Sequence, residues 1–512
     1  MSSLIMRHSV RALLCLSLLA CVQEPASGPT EPAVAAEPER PVARYVSSKR
    51  VSTVCGAFDY TTPPPGFAEP PGVTQREMPP PLAKRQAVGA DREPVETNRE
   101  KVSPGYVLIE PLMVKESTVI NNDGEIVGRI ESDYSIEFTR FLDDGNRLVS
   151  THVHTDTFAG GGGRRGCLEE YSVEGDLLWR LGLATDSYIQ HHDAVKLPNG
   201  NVLAVVWENI STEEAIAMGR DPEVVAENGQ FWYDGIIEVN PYTAEIVWEW
   251  SARHHLIQEF DTGKMNYGVV AEHPELLNIN ATIPSQDGST DDDWTHVNAL
   301  DYNPELDLII FSSNYLSEVY VIDHSTTAWE AAGHSGGRHG KGGDFLYRWG
   351  NPQNYGRGSA EQRTLFNQHD IQWIKPGLPG AGNLLVFNNG NPDVRPYSTV
   401  LEFAPEVNAD GSFRLDGSAP YSTDVVVWDY DPEPPERFFS FFISGAQRLP
   451  NGNTIITHGA GAKIREVTSE AEIVWEYTYE DDIDAPHMLF RGNRYPVDHP
   501  GLVNIVSGSI QQ

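Results

Sequence analysis

Three histidines stand at matched places in three repeats of one pattern. His192 lies in IQHHDAVKL (189–197), His296 in DWTHVNALDY (293–302) and His369 in LFNQHDIQWI (365–374). Each opens an alternating apolar run that reads as a β-strand and ends at a turn proline. His192 is six residues before Pro198, His296 eight before Pro304 and His369 seven before Pro376, while Ser444 stands six before Pro450. Imidazoles gathered at one place can act as nucleophile, proton donor and oxyanion binder. Three histidines would also make a zinc site, but the chain has no HExxH and no carboxylate-rich ligand loop, so no metal is assigned. One such histidine alone reads as a buried strand residue with its hydrogen bonds satisfied. Three at matched positions point to a site.

The strands that carry them belong to a recurring hairpin: TRFLDDGNRLVSTH (139–152), DAVKLPNGNVLAVVW (193–207), NALDYNPELDLIIFSS (298–313), IQWIKPGLPGAGNLLVFNN (371–389) and SGAQRLPNGNTIITHG (444–459). Pro, Asn, Asp and Gly stand where tight turns need them. Each hairpin is followed by a strand that carries Trp: GDLLWRL (175–181), AEIVWEW (244–250), FLYRWG (345–350), DVVVWDY (424–430) and AEIVWEY (471–477). A sixth such strand, GEIVGRI (124–130), lacks the Trp and precedes the first hairpin, and HMLFRGNRYP (487–496) is left over at the end. The period is two rather than 3.6, which excludes helical solenoids. The pattern predicts an all-β, six-bladed β-propeller over 104–512, with the C-terminal strand closing the N-terminal blade. The insertion 211–233 is the one stretch that reads as helical.

In such a blade the first strand lines the central channel and the second returns to the same mouth. The three histidines therefore converge there. The returning strands deliver Asn314, Asn388, Asn389 and His458, with His152 or His154 from the first hairpin. Asp193 and Asp370 point the other way and read as packing groups. STDDDW (289–294) reads as a solvated acidic loop that could take calcium, and GGGGRRG (160–166) as a flexible loop with two arginines. No Walker-type phosphate loop occurs.

The formal charge of −36 over 512 residues disfavours nucleic acid and anionic lipid as partners. An anionic substrate would then need local positive charge in a cleft. Arg7 and Arg11 precede ALLCLSLLA (12–20) and Cys21, an apolar stretch too short to span a bilayer. Residues 1–20 read as a signal peptide, and LLAC (18–21) resembles a bacterial lipobox, which implies lipidation of Cys21 and a periplasmic or cell-surface lipoprotein. With Val22 next, an outer membrane is the expected destination in a cell that has one. Residues 21–103 read as a Pro-rich disordered tether, with order expected from Pro104. Cys55 and Cys167 are left as a pair that an oxidising compartment could join.

The stretch DWTHVNALDYNPELDLIIFSSNYLSEVYVIDH (293–324), with LYRWGNPQNYGRG (346–358) and LFNQHDIQWI, resembles the bacterial aryl-sulfate sulfotransferases that do not use PAPS. The resemblance implies a six-bladed propeller with a histidine-rich funnel. It implies transfer of a sulfuryl group from an aryl sulfate to a phenol by a ping-pong route through a sulfohistidine. No cofactor is implied, and the partners are the small-molecule donor and acceptor. On this resemblance His369 is the nucleophile, His192 and His296 bind sulfate and handle protons, and Asn298 stands beside them. Asn314, His458 and Asn388 are further candidate substrate contacts. Asn314 occupies a place where the family usually has arginine, and Arg338, Arg395 or Arg465 are candidates to supply that charge. The family's N-terminal β-sandwich is replaced here by the tether. Three other readings compete: a metal-dependent, lactonase-like propeller hydrolase, a lipid-tethered binding propeller, and a quinone-cofactor propeller.

Overall fold

The structure, a computed structural model, describes residues 50–52, 55, 96–153, 155, 157–158, 162–281, 292–432, 438–480 and 488–508. The signal segment, Cys21, most of the tether and His154 lie outside the described residues. No helix among the described residues is long and apolar enough to cross a membrane.

Six antiparallel sheets form the six blades of a β-propeller. Blade 1 is split as expected: its inner strand is Leu489–Tyr495, from the C-terminus, followed outward by Tyr106–Pro111, Glu116–Ile120 and Ile126–Glu131. Blade 2 starts at Ile136–Phe141, blade 3 at Tyr188–Lys196, blade 4 at Val297–Asn303, blade 5 at His369–Trp373 and blade 6 at Gly445–Arg448. Ordered chain precedes Pro104. Glu96–Thr97 adds a fifth strand to the outer edge of blade 6, and Cys55 is disulfide-bonded to Cys167 of blade 2. The insertion after Ser211 is helical over Thr212–Ala217 and, as a 3-10 turn, over Pro222–Val224. Its aromatic end, Phe231 to Tyr233, pairs in register with Ile210 to Glu208 and lengthens a strand.

Turn chemistry sets the hairpins. In Pro198-Asn199-Gly200-Asn201 the Leu197 amide donates to Asn201 O at 2.9 Å, and Gly200 takes φ +88, a value a side chain would resist. The outer-strand tryptophans of blades 3 to 6 latch blade to blade. Trp248 Nε1 donates to Thr326 Oγ1, Trp349 Nε1 to Ser422 O, Trp428 Nε1 to Ser469 O and Trp475 Nε1 to Asn122 O. Blade 1 lacks its Trp because the C-terminal helix Val503–Gly508 covers that strand. A Cβ at Gly128 would come within 2.3 Å of Ile505 Cγ2.

Around the channel the inner strands are tied at every seam. Glu110 accepts from the Thr139 amide (blade 1 to 2, 2.5 Å), and Arg140 donates to Ala194 O (2 to 3, 3.0 Å). Asp193 accepts from the Leu300 amide (3 to 4, 3.2 Å), Asp301 from Trp373 (4 to 5, 2.9 Å) and Asp370 from Ala446 (5 to 6, 3.0 Å). Gln447 accepts from the Arg494 amide (6 to 1, 2.8 Å). Asp193 and Asp370 are thus packing groups, as their strand positions indicate.

Burial pushes the Glu110 carboxyl up to about 8, against the pull of the Thr139 amide and Arg491. The folded protein then holds a proton that the unfolded chain releases above its ordinary carboxylate value. Stability from this group is complete at low pH and is lost as pH rises through about 8. Glu110→Gln keeps an acceptor for Thr139 and removes the titration. Unfolding midpoints measured from pH 5 to 9 should decline less steeply in the variant than in wild type; parallel curves would contradict this assignment.

Candidate active site

The three inner strands of blades 3, 4 and 5 each break register near their start, opposite Ala204/Val206, at Val297/Ala299 and at His369/Gln372. Such bulges re-aim a side chain. His192 has φ +48, His296 φ +47, Asp370 φ +58 and Ser444 φ +85. Left-handed backbone at non-glycine residues costs on the order of 1–3 kcal/mol each and persists where surrounding contacts enforce it. His192, Asp370 and Ser444, each six residues before its turn proline, are the equivalent positions. His369 stands one residue earlier in its repeat, which corrects the strict equivalence of the three histidines. The bulges nevertheless bring them together. The His192 and His296 rings meet edge to face at 4.6 Å, and His369 lies within electrostatic reach of both.

His192 ends a chain of two imidazoles. Asp234 Oδ1 lies 2.8 Å from His191 Nε2, and His191 Nδ1 is 2.8 Å from His192 Nδ1. A carboxylate at Nε2 draws the His191 proton there, so His192 Nδ1–H donates to His191 Nδ1 and His192 Nε2 keeps its lone pair. Stacking on Trp207 at 4.0 Å fixes the His191 plane. Burial, then the neighbouring His296, hold His192 well below its usual value and so neutral. The glycine-rich loop lies directly on this ring. Gly163 O accepts from the His192 amide at 2.8 Å, and a Cβ on Gly163 would fall 2.1 Å from the ring. Arg165 of the same loop pairs with Glu137 and lies within electrostatic reach of His192.

His296 has a carboxylate partner. Asp293 Oδ2 lies 2.5 Å from His296 Nδ1, and the ring stacks on Tyr315 at 4.5 Å. Asp293 is buried, at 4% exposure, so this end of STDDDW is no solvated loop. The spacing DWTH carried the signal, an acid three residues before a histidine. The carboxylate behind His191 ties blade 3 to this strand as well: Asp234 Oδ2 accepts from Thr295 Oγ1 and the Val297 amide.

His369 Nδ1–H donates to Asn389 Oδ1 at 2.8 Å, and Nε2 accepts from the Ile443 amide at 3.2 Å. Burial takes this imidazole down to about 3, with the Asn389 bond opposing. It is therefore neutral, with its Nε2 lone pair on the donor of a strained loop. Ile443 has φ +50 beside Ser444, and Asn389 Nδ2 holds that loop by Ser440 O (2.6 Å) and Ile443 O (2.9 Å). Asn389, rather than Asn388, touches the histidine.

The asparagines proposed as substrate contacts bond to backbone around His369. Asn298 Nδ2 donates to Gln368 O at 2.8 Å, and Asn314 Nδ2 to Asn367 O at 3.0 Å, the same carbonyl that lies 3.2 Å from His369 Nδ1. Asn388 bridges Thr364 O and the Phe366 amide. His458 packs on Phe438, and its charged neighbours Arg465, Lys463 and Glu476 belong to blade 6, so the structure does not join it to the three histidines. Arg465 pairs with Glu476 and Arg338 with Leu306 O, while Arg395 stacks on Tyr397. The cations that reach the histidines are Arg165 and Arg491.

The sequence model of the family described as Arylsulfotransferase (ASST) matches residues 92–495. No curated protein matches the chain. Similar solved structures include a protein of unknown function from Bacteroides caccae, 14% identical with a TM-score of 0.40, covering 77% of this chain and 99% of that one. A streptogramin B lyase is 11% identical with a TM-score of 0.35, covering 77% and 86%. The WD40 domain of Toxoplasma gondii coronin is 8% identical with a TM-score of 0.34, covering 74% and 69%.

Asp293→Asn keeps the shape of the loop and removes the carboxyl group that holds His296 Nδ1. Turnover of p-nitrophenyl sulfate in the presence of phenol should fall by about 10²–10⁴, the size of an acid–base contribution. Unchanged turnover would return Asp293 to a purely structural role.

Proposed function

We propose that this chain, which belongs to the arylsulfotransferase family, transfers the sulfuryl group through a covalent intermediate on His369. The observation that carries the reading is the neutral, oriented imidazole of His369: Asn389 holds the proton at Nδ1 and leaves the lone pair at Nε2. In the first half-reaction Nε2 attacks sulfur in line. The N–S bond forms as the S–O bond to the aryl group breaks, and the electron pair leaves with the phenolate oxygen. Nothing is oxidised or reduced. His296, backed by Asp293, is the group best supported as an imidazolium, and it protonates or steadies the leaving oxygen. The acceptor phenol gives a proton back to His296 as its oxygen attacks sulfur; the N–S bond breaks and its electron pair returns to His369 Nε2. His192, neutral and aimed by His191, accepts a hydrogen bond from either phenol. The Ile443 amide, already at Nε2, is poised to donate to a sulfuryl oxygen.

The partners are a small aryl sulfate and a phenol, and no cofactor takes part in these steps. The Cys55–Cys167 disulfide supports an oxidising, extracytoplasmic compartment, in keeping with a lipid anchor on Cys21.

His369→Ala should abolish transfer while circular dichroism stays near wild type, and the melting temperature should fall only modestly, for the buried hydrogen bonds to Asn389 and the Ile443 amide that are lost. After brief exposure of wild type to aryl sulfate, mass spectrometry should find one SO₃ on the peptide that holds His369, and the native chain should begin at an acylated Cys21. An active His369→Ala variant, or label on another residue, would overturn the covalent role.

A further inference from the structure

A second cluster of imidazole and carboxylate lies at the outer edges of blades 3 and 4. His255 follows the outer strand of blade 3, Glu245–Ser251, and the loop GHSGGRHGKGGD (333–344) precedes the outer strand of blade 4, Tyr347–Trp349. The Gly343 amide donates to Gly333 O at 3.0 Å and closes the loop, so His334 and Asp344, at its two ends, meet over His255. The closure needs glycine, since a Cβ on Gly343 would lie 2.1 Å from Ala331 O and 2.8 Å from His255 Nε2. The side-chain atoms of His255, His334 and Asp344 lie within 4.8 Å of one another.

The proton positions make this cluster unusual. His255 is fully buried, stacked on Trp250 at 5.5 Å, and its Nε2 is 2.9 Å from Ala331 O. A carbonyl only accepts, so Nε2 carries a proton and Nδ1 is the nitrogen turned toward the loop. His255 Nδ1 lies 2.7 Å from Asp344 Oδ1, and His334 Nδ1 lies 2.8 Å from the same oxygen. Two ring nitrogens meeting one carboxylate oxygen are held there by N–H protons or by a metal ion that takes the protons' place, and these ligand types suit a borderline cation. A histidine whose second nitrogen is held by a backbone carbonyl is also the usual state of a metal ligand.

We propose that His255 Nδ1, His334 Nδ1 and Asp344 form a site for a borderline divalent metal, zinc in the first instance, that staples the 333–344 loop to blade 3. Two imidazoles, one carboxylate and a water make a tetrahedral set, reached by opening the two contacts by about 0.5 Å. His334 is exposed, which gives the ion a way in. The site is separate from sulfuryl transfer, since it contains none of the three channel histidines.

The test uses the full chain after treatment with chelator and dialysis. Titration calorimetry with Zn²⁺ should find one equivalent bound, and zinc should raise the melting temperature. Co²⁺ should give the intense visible absorption of a four-coordinate site. His334→Ala, at an exposed position that folding does not need, should lose all three signals, whereas His296→Ala should retain them. No binding at micromolar Zn²⁺ by wild type would overturn the proposal and leave a protonated His255–Asp344 pair. Binding that survives His334→Ala but not His296→Ala would also overturn it, placing the metal in the channel.

Discussion

One buried guanidinium joins closure of the ring to the geometry of the site. Arg491 sits on the last strand, Leu489–Tyr495, and reaches Asp193 of blade 3 at 3.2 Å and Asp370 of blade 5 at 3.0 Å. Arg140 of blade 2 holds the other oxygen of Asp193 at 3.1 Å. Removing one partner from such a buried group costs about 3–5 kcal/mol, because charges are left unpaired without water. Asp193 and Asp370 directly follow His192 and His369 in the chain, and each accepts the amide of the next blade's inner strand. The C-terminal strand therefore aims two of the three histidines while it completes the circle.

On the proposed route, burial and hydrogen-bond partners divide the chemical labour. His192 and His369 are both pushed toward neutrality by desolvation, and what distinguishes them is the partner on the far nitrogen. An imidazole backed by another imidazole keeps a basic Nε2 in a hydrogen-bonding position. An imidazole backed by an amide oxygen keeps a lone pair without gaining a proton, which suits a nucleophile. His296, backed by the Asp293 carboxylate, is suited to carry positive charge. Arg165 and Arg491 near the rings offset the carboxylates that they pair with there, Glu137, Asp193 and Asp370.

Much of this was legible in the residues. The period-two hairpins, the outer Trp strands and the leftover HMLFRGNRYP give six blades and their closure. HHD, THVN and QHD mark the three strands that meet. The rest depends on neighbours that no local pattern records. Asp234 orients His191 from the third strand of the same blade and Asn389 orients His369 from the end of the second, and these contacts exist only once the strands of the blade are in register. Asp293 was hidden in an acidic run, because alternation along a strand does not register a turn that folds an acid back onto a histidine three residues later. Asn298, Asn314 and Asn388 have the right side chains for a ligand, but carbonyls near His369 claim their amides. His458 stands at the end of its strand with its ring on the other side, against Phe438. The bulges that shift His369 by one residue are backbone events with no residue signature.

The most direct test of the link between closure and chemistry is Arg491→Lys. Lysine keeps the charge but cannot span two carboxylates as the planar guanidinium does. The rate constant for p-nitrophenolate release in a single turnover should be measured together with thermal unfolding. The account predicts a variant that is folded at the assay temperature, melts lower, and releases p-nitrophenolate about tenfold to a hundredfold more slowly, the cost of small misplacement of reacting groups. A folded variant that releases p-nitrophenolate at the wild-type rate would contradict it.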